Sequence, residues 1–194
     1  GSYFRDPEFR AYMFVLLLTV AVYSAVLWLS QPDADPGHAF RRSLFHAVSM
    51  QTSSGFFTDD FTHWPGALPV ILMLSTFIGG CAGSTSGGMK VVRWLLLWKQ
   101  GQREVVQLVH PSAEVPVKLG EKAIDPRIVD AVWGFFGVYI VAFGALMVLL
   151  IAIGEDQVTA FSAISACMNN TGTGLGEVAQ NFATLSDPGK WICL

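Results

Sequence analysis

The sequence predicts an all-α integral membrane protein built from repeated units, each a long helix, a short re-entrant segment and a closing helix. Three observations carry this. Of the 194 residues, 52% are hydrophobic and only 14% charged, with mean hydropathy +0.47; an average soluble domain carries about 25% charge. Three long stretches are free or nearly free of charge, and two shorter apolar stretches end alike in a small polar turn closed by glycine. The composition excludes intrinsic disorder and argues against a soluble single-domain enzyme. A net charge of -3 excludes a strongly basic nucleic-acid binder. Cys81, Cys167 and Cys193 lie far apart, without the spacing of a disulfide framework or a zinc site.

From Ala11 to Leu29 no residue is charged. Arg5 and Arg10 precede the stretch and Gln31-Pro32-Asp33 stops it. About 20 apolar residues span a bilayer core, so this is a membrane helix. It is too long for a signal-peptide core, and no small-residue cleavage site follows. A second apolar region, Phe61 to Met89, reads as a helix from about Pro65 to Ile78, the segment GGCAGSTSGG (Gly79 to Gly88), and a helix through Trp98. A third span covers Ala131 to Ile153. Residues 99–130 are polar, with Pro111, Pro116 and Pro126, and form an extramembrane connection.

Ser43 to Thr58 and Gln157 to Gly172 each open like a short helix and end in a turn of small polar residues and glycine. Neither is long enough to cross a bilayer, and such lengths suit re-entrant segments. Aligning Phe45–Ser49 with Phe161–Ser165, and Thr52–Gly55 with Asn169–Gly172, exposes a weak internal repeat. Residues 1–98 are then one helix–loop–broken helix unit, 99–130 a connection, and 131–194 the helix and loop of a next unit. The closing helix of that unit is missing, so the chain reads as part of a longer one.

Charge orients the units. Lys90, Arg93, Lys99, Arg103, Lys118, Lys122 and Arg127, with Arg5 and Arg10, fall on one side; Asp33, Asp35, Asp59, Asp60, Glu155, Asp156, Glu177 and Asp187 fall on the other. The positive-inside rule makes the basic side cytoplasmic, with Arg41 and Arg42 as exceptions. Both short segments then dip in from outside.

Irregular backbone at membrane depth is tolerated where it is buried in protein or lines a watery path. Thr52-Ser53-Ser54-Gly55 and Asn170-Thr171-Gly172 supply carbonyl and side-chain oxygens, and glycine permits backbone angles that other residues resist. Such oxygens replace the hydration shell of potassium, and the preceding short helix points its negative end at the ion. No carboxylate lies in either turn, so neutral oxygens suit a monovalent cation. Either turn alone also reads as a surface loop; two at matching places favour a pore. Asn169-Asn170-Thr171 is a glycosylation sequon, but a dipping helix terminus is a poor site for it.

The Gly79 to Gly88 segment fails as a phosphate loop, because Met89-Lys90-Val91 replaces the required Lys-Ser/Thr and no strand precedes it. Gly79, Gly83 and Gly87 repeat every four residues, as in a helix-packing stripe. Yet each glycine costs a helix roughly 1 kcal/mol relative to alanine. A break within a span is the better reading, placing Gly79, Gly80, Gly83, Ser84, Thr85, Ser86, Gly87 and Gly88 in a polar gating loop under the filter. Lys90 and Arg93 follow the break on one helical face, and anchoring the cytoplasmic end of the span is the role that suits Arg93. His38, His46, His63 and His110 show no metal-type pairing and are interfacial or structural. Trp28, Trp64, Trp94, Trp98 and Trp133 fall near span ends and read as interface anchors.

FHAVSMQTSSGF (Phe45 to Phe56), GGCAGSTSGGMKVVR (Gly79 to Arg93) and NNTGTGLG (Asn169 to Gly176) resemble the membrane subunit of Trk-type bacterial potassium uptake systems. The similarity runs over essentially the whole chain. It implies four helix–pore loop–helix repeats around a pseudo-four-fold pore, of which the third, the cytoplasmic connection and most of the fourth are present here. It further implies that Gly55 and Gly172 are filter glycines, with Thr52 to Ser54 and Asn170 to Thr171 beside them. Gly79 to Gly88 is then the intramembrane gating loop. Asn-Asn-Thr departs from the Thr/Ser-rich form, and Gly174 competes with Gly172. The implied activity is potassium uptake across a bacterial inner membrane, with potassium as substrate, no further cofactor and no enzymatic step. Expected partners are the bilayer, the missing repeats, a cytoplasmic nucleotide-binding (TrkA-like) regulatory subunit and a second copy in a homodimer, but not nucleic acid. The competing reading is a membrane scaffold or assembly subunit using Gly-rich helix packing.

Overall fold

The computed structural model describes residues 3–30, 35–110, 116–120, 122–179 and 181–194. The acidic break at 31–33 and Pro111 lie outside them. Among the described residues are seven α-helices: α1 (Pro7–Ser30), α2 (Pro36–Gln51), α3 (Leu68–Ser75), α4 (Val91–Val109), α5 (Pro126–Ala152), α6 (Gln157–Met168) and α7 (Asp187–Cys193). A minimal antiparallel hairpin, β1 (Lys118–Leu119) and β2 (Lys122–Ala123), pairs Lys118 with Ala123 and Leu119 with Lys122.

Asp-Pro opens α1, α2 and α5 alike. Asp6, Asp35 and Asp125 accept from the N–H two residues on, at 2.8, 3.2 and 2.9 Å. Proline supplies the helical φ where its missing N–H would be unpaired anyway. These signals place helix starts several residues before the uncharged stretches begin, so α2 starts at Pro36 rather than Ser43. α1 and α5, with 24 and 27 residues, are long and apolar enough to cross a membrane. Only 22% and 11% of their most apolar stretches are buried within the chain, unlike the core helix of a soluble protein.

In each unit the long helix packs on the short one, α1 on α2 and α5 on α6. The first core gathers Tyr23, Met50, Phe61, Trp64, Leu72 and Met73. The second gathers Leu150, Ala160, Ala163, Ile164 and Val178. α3 meets α6 and α4 lies against both α1 and α5, which joins the units. Val117 before the hairpin packs with Leu96, Val129 and Val132, and Gly120 lies over Pro7. The hairpin therefore sits at the end where both long helices begin.

Several expectations change. α3 covers only Leu68–Ser75, because the chain turns at Thr76–Ile78 ahead of the glycines. α4 runs beyond Trp98 to Val109, since Gln, Arg and Glu favour helix and no proline intervenes among residues 99–109. α7 follows Gly172 at nearly the spacing with which α3 follows Gly55. Trp64 is no interface anchor. It is 5% exposed, donates from Nε1 to Asp59 Oδ2 at 3.2 Å, and lies edge-on to Tyr23 and His46.

Candidate functional site

The turns after α2 and α6 share one backbone conformation. Thr52 and Asn169 end their helices at φ -86°, ψ -1° and φ -96°, ψ 0°. Ser53 and Asn170 follow in the left-handed region at φ 56° and 54°, and Gly55 and Gly172 at φ 70° and 78°. The hydrogen bonds match too. Ser54 N–H donates to Ser49 O and Thr171 N–H to Ala166 O, both at 2.9 Å; Ser53 N–H donates to Met50 O at 3.2 Å and Asn170 N–H to Cys167 O at 3.1 Å. This doubly bonded left-handed end turns the chain sharply and satisfies carbonyls that helix termination leaves free.

These bonds equate Ser49 with Ala166, one residue away from the Ser49–Ser165 alignment expected from sequence. Shared phenylalanine and serine letters misled by one position; the cap sets the register. They also separate the two candidate glycines, because Gly174 lacks a positive φ and is packed against Val178 and Ser162. Gly172 is the structural counterpart of Gly55.

The two turns touch. A Cβ on Gly55 would collide with the carbonyl oxygen of Thr171, whereas one on Gly172 would meet nothing within 4 Å among the described residues. Thr52 Oγ1 donates to Val48 O at 2.7 Å and shares a 2.8 Å hydrogen bond with Ser54 Oγ. Thr171 is 4% exposed, while Ser54, Asn170 and Gly172 are exposed.

Gly79 to Gly88 is irregular chain between α3 and α4, and the helix-packing stripe is not formed. Gly79 and Gly88 have φ 67° and 74°. The segment seats against both turns. Gly87 N–H donates to Ser53 Oγ at 3.0 Å, and a Cβ on Gly87 would collide with Asn169 O. Gly88 lies over Thr76 O, 2.6 Å from where its Cβ would be. Gly83, by contrast, has nothing within 4 Å. Ser86 Oγ accepts from Gly80 N–H at 2.9 Å and bonds Ser84 Oγ at 2.8 Å, closing the loop on itself. Thr85 is exposed at its tip.

Lys90 and Glu8 hold this loop. Lys90, at φ 72°, turns its ammonium back to donate to Ser84 O at 2.8 Å and to Ser86 O. Ala82 N–H donates to Glu8 Oε1 at 2.6 Å, tying the loop to the start of α1. Arg93 stacks on Phe135 at 4.1 Å. At the opposite end Arg42 pairs with Asp59 and lies 5.8 Å over Trp64. That pairing accounts for a basic residue on the acidic side of the chain. His46 is fully buried, with Nδ1 2.8 Å from Arg42 O and Nε2 3.3 Å from Asp59 O, a structural role. Asp60 and Asp156 sit outside the spans with carboxyls held below the ordinary carboxylate value, Asp60 first by the Thr62 side chain and Asp156 first by the Thr159 side chain. Among the described residues no cluster of His, Cys, Asp and Glu could hold a metal ion.

The chain is 50% identical over 99% of its length to a Trk system potassium uptake protein TrkH of Vibrio parahaemolyticus, and 47% identical over 99% to that of Escherichia coli K12. It is 38% identical over 97% to the Escherichia coli potassium uptake protein TrkG. It spans about 40% of the length of these relatives, 40%, 40% and 39% in turn. The crystal structure of the potassium transporter TrkH from Vibrio parahaemolyticus superposes with TM-score 0.91 at 50% identity, over 98% of this chain and 41% of that one. The family model described as TrkH, cation transport protein, matches residues 2–194, and the chain accordingly belongs to the TrkH family of cation transport proteins.

Proposed function

We propose that these residues form part of a potassium uptake pathway, with Thr52–Gly55 and Asn170–Gly172 lining a selectivity filter and Gly79–Gly88 closing it from below. The observation that carries the reading is the identical backbone of the two turns, glycine of one against carbonyl of the other. A head-to-tail contact of this kind closes into a ring when it repeats. The exposed face of Gly172 is where a further turn of the same kind would seat to complete the pore. Neutral carbonyls and hydroxyls select potassium by replacing its water. The printed names of the relatives, potassium uptake proteins, support the same substrate.

In this reading the Gly-rich segment obstructs the path until it moves. The basic residues from Lys90 to Arg127 form a cytoplasmic docking face for a nucleotide-binding regulatory subunit, in a dimeric assembly in the bacterial inner membrane. No bond is made or broken; the work is desolvation and passage.

Gly55→Ser in the complete transporter tests the filter. At φ 70° and against Thr171 O a side chain forces the turn open. Potassium preference over sodium should fall by about tenfold or more, the loss of roughly 1.4 kcal/mol of discrimination. Unchanged selectivity in a well-expressed variant removes Gly55 from the filter.

A further inference from the structure

One buried polar chain links α5, the second turn and the end of α3. Tyr139 Oη donates to Asn169 Oδ1 at 2.7 Å, and Asn169 Nδ2 donates to Thr76 Oγ1 at 2.9 Å. Thr76 Oγ1 in turn donates to Met73 O at 2.7 Å. Thr76 and Asn169 are fully buried and Tyr139 is 8% exposed. The direction of every bond is determined. The single hydroxyl proton of Thr76 is spent on Met73, so its oxygen can only accept, and the amide NH2 of Asn169 must face it. The amide oxygen is left for Tyr139.

The backbones of the same residues support the Gly-rich segment. Gly87 rests on Asn169 O and Gly88 on Thr76 O, at contacts too close for any Cβ. Asn169 also ends α6 and leads into Asn170-Thr171-Gly172. One side-chain amide therefore positions a filter turn and the seat of the segment beneath it.

We propose that Tyr139–Asn169–Thr76 is the joint that couples the filter turn to the gating segment, with Tyr139 and Thr76 as positioning residues that touch neither ion nor loop tip. The proposal rests on the pathway reading above and adds a mechanical link to it. A buried amide that loses one partner keeps the full desolvation penalty and rotates to find another, so a change at Tyr139 reaches both surfaces at once.

The test uses Tyr139→Phe, Thr76→Val and Thr76→Ser in the complete transporter, reconstituted in liposomes. Two quantities are read per folded protein, the potassium-to-sodium flux ratio and the basal potassium flux. Tyr139→Phe keeps the ring that packs against Phe77 and Phe135 at 6.1 and 5.9 Å, so folding is preserved. In Tyr139→Phe and in Thr76→Val the ratio should fall and basal flux rise together, each by about fivefold, the factor for one hydrogen bond of ordinary net strength. Thr76→Ser, which keeps the oxygen, should restore both. The double variant should change little beyond either single one, as members of one network are not additive. Ratio and flux both unchanged, whatever happens to thermal stability, make the network plain packing and overturn the proposal. A shift in only one quantity also overturns it, because the turn and the glycine seat are then independent. Gly55→Ser in the same assay separates the two readings. No response to Gly55→Ser defeats the filter itself, whereas a response there without one at Tyr139→Phe defeats only the joint.

Discussion

Ser53 and Asn170 stand at equivalent places in the two units, and both hold a left-handed backbone, at φ 56° and 54°. For a residue with a Cβ this costs roughly 1 kcal/mol, less for asparagine than for serine. Each position is fixed by the same pair of carbonyl-accepting bonds from the helix behind it. Ser53 also gives its hydroxyl oxygen to Gly87 N–H. The strain is thus held where the turn meets the Gly-rich segment.

The position of a glycine, not the number of glycines, should decide its effect. Gly87→Ala puts a methyl group into Asn169 O and should lower stability by about 2 kcal/mol while raising basal flux. Gly83→Ala meets open space and should stay within roughly 0.5 kcal/mol of the parent. Thermal unfolding and liposome flux on both variants make the comparison. Equal effects would mean that the close seat of Gly87 on Asn169 does not set its role.

Glu8 holds the loop through the Ala82 N–H. Glu8→Ala should raise basal flux, while Glu8→Gln keeps an acceptor oxygen and should not. Deleting Ala82 to Ser86 removes the loop and should exceed either. Reduced flux with reduced thermal stability in the deletion would favour a packing role for the segment.

Arg42 and Asp59 pin α2 to the loop that follows the first turn. Arg42→Ala leaves Asp59 without its cation and removes the stack on Trp64, so it should cost about 1–3 kcal/mol. In a double-mutant cycle with Asp59→Ala the two losses should sum to more than the loss in the double variant. Additive losses would mean the pair is not coupled.

Asp156 caps α6 through Val158 N–H and Thr159 N–H at 3.0 and 3.1 Å. Its folded-state pKa lies below the ordinary carboxylate value, chiefly through the Thr159 side chain. A depressed carboxylate contributes its stability above the ordinary value and loses it as pH falls through the folded one. Melting temperature should therefore hold from about pH 7 to pH 5 and lose the Asp156 contribution only below about pH 4. Asp156→Asn still caps but cannot titrate, and should remove that part of the acid dependence. Asp156→Ala should cost about 1 kcal/mol at neutral pH. An identical acid profile in Asp156→Asn would show that the cap is not the titrating group.

Local composition and residues a few positions apart already specify the two membrane-length helices, the short apolar helix α6 and the glycine-closed turns. Fifteen or more uncharged apolar residues have few alternatives to a helix, and five glycines between Gly79 and Gly88 cannot sustain one. Thr52–Gly55 and Asn169–Gly172 were legible as a pair for the same reason. Long-range packing sets the one-residue shift in the repeat, the match of Gly172 rather than Gly174 to Gly55 in backbone angle, and the burial of Trp64. It alone brought Glu8 to Ala82, Gly87 to Ser53, and Tyr139 through Asn169 to Thr76. Those contacts join residues distant in the chain, and hydrogen bonding at a buried seam depends on which backbones meet there. No periodicity or composition within one segment carries that information.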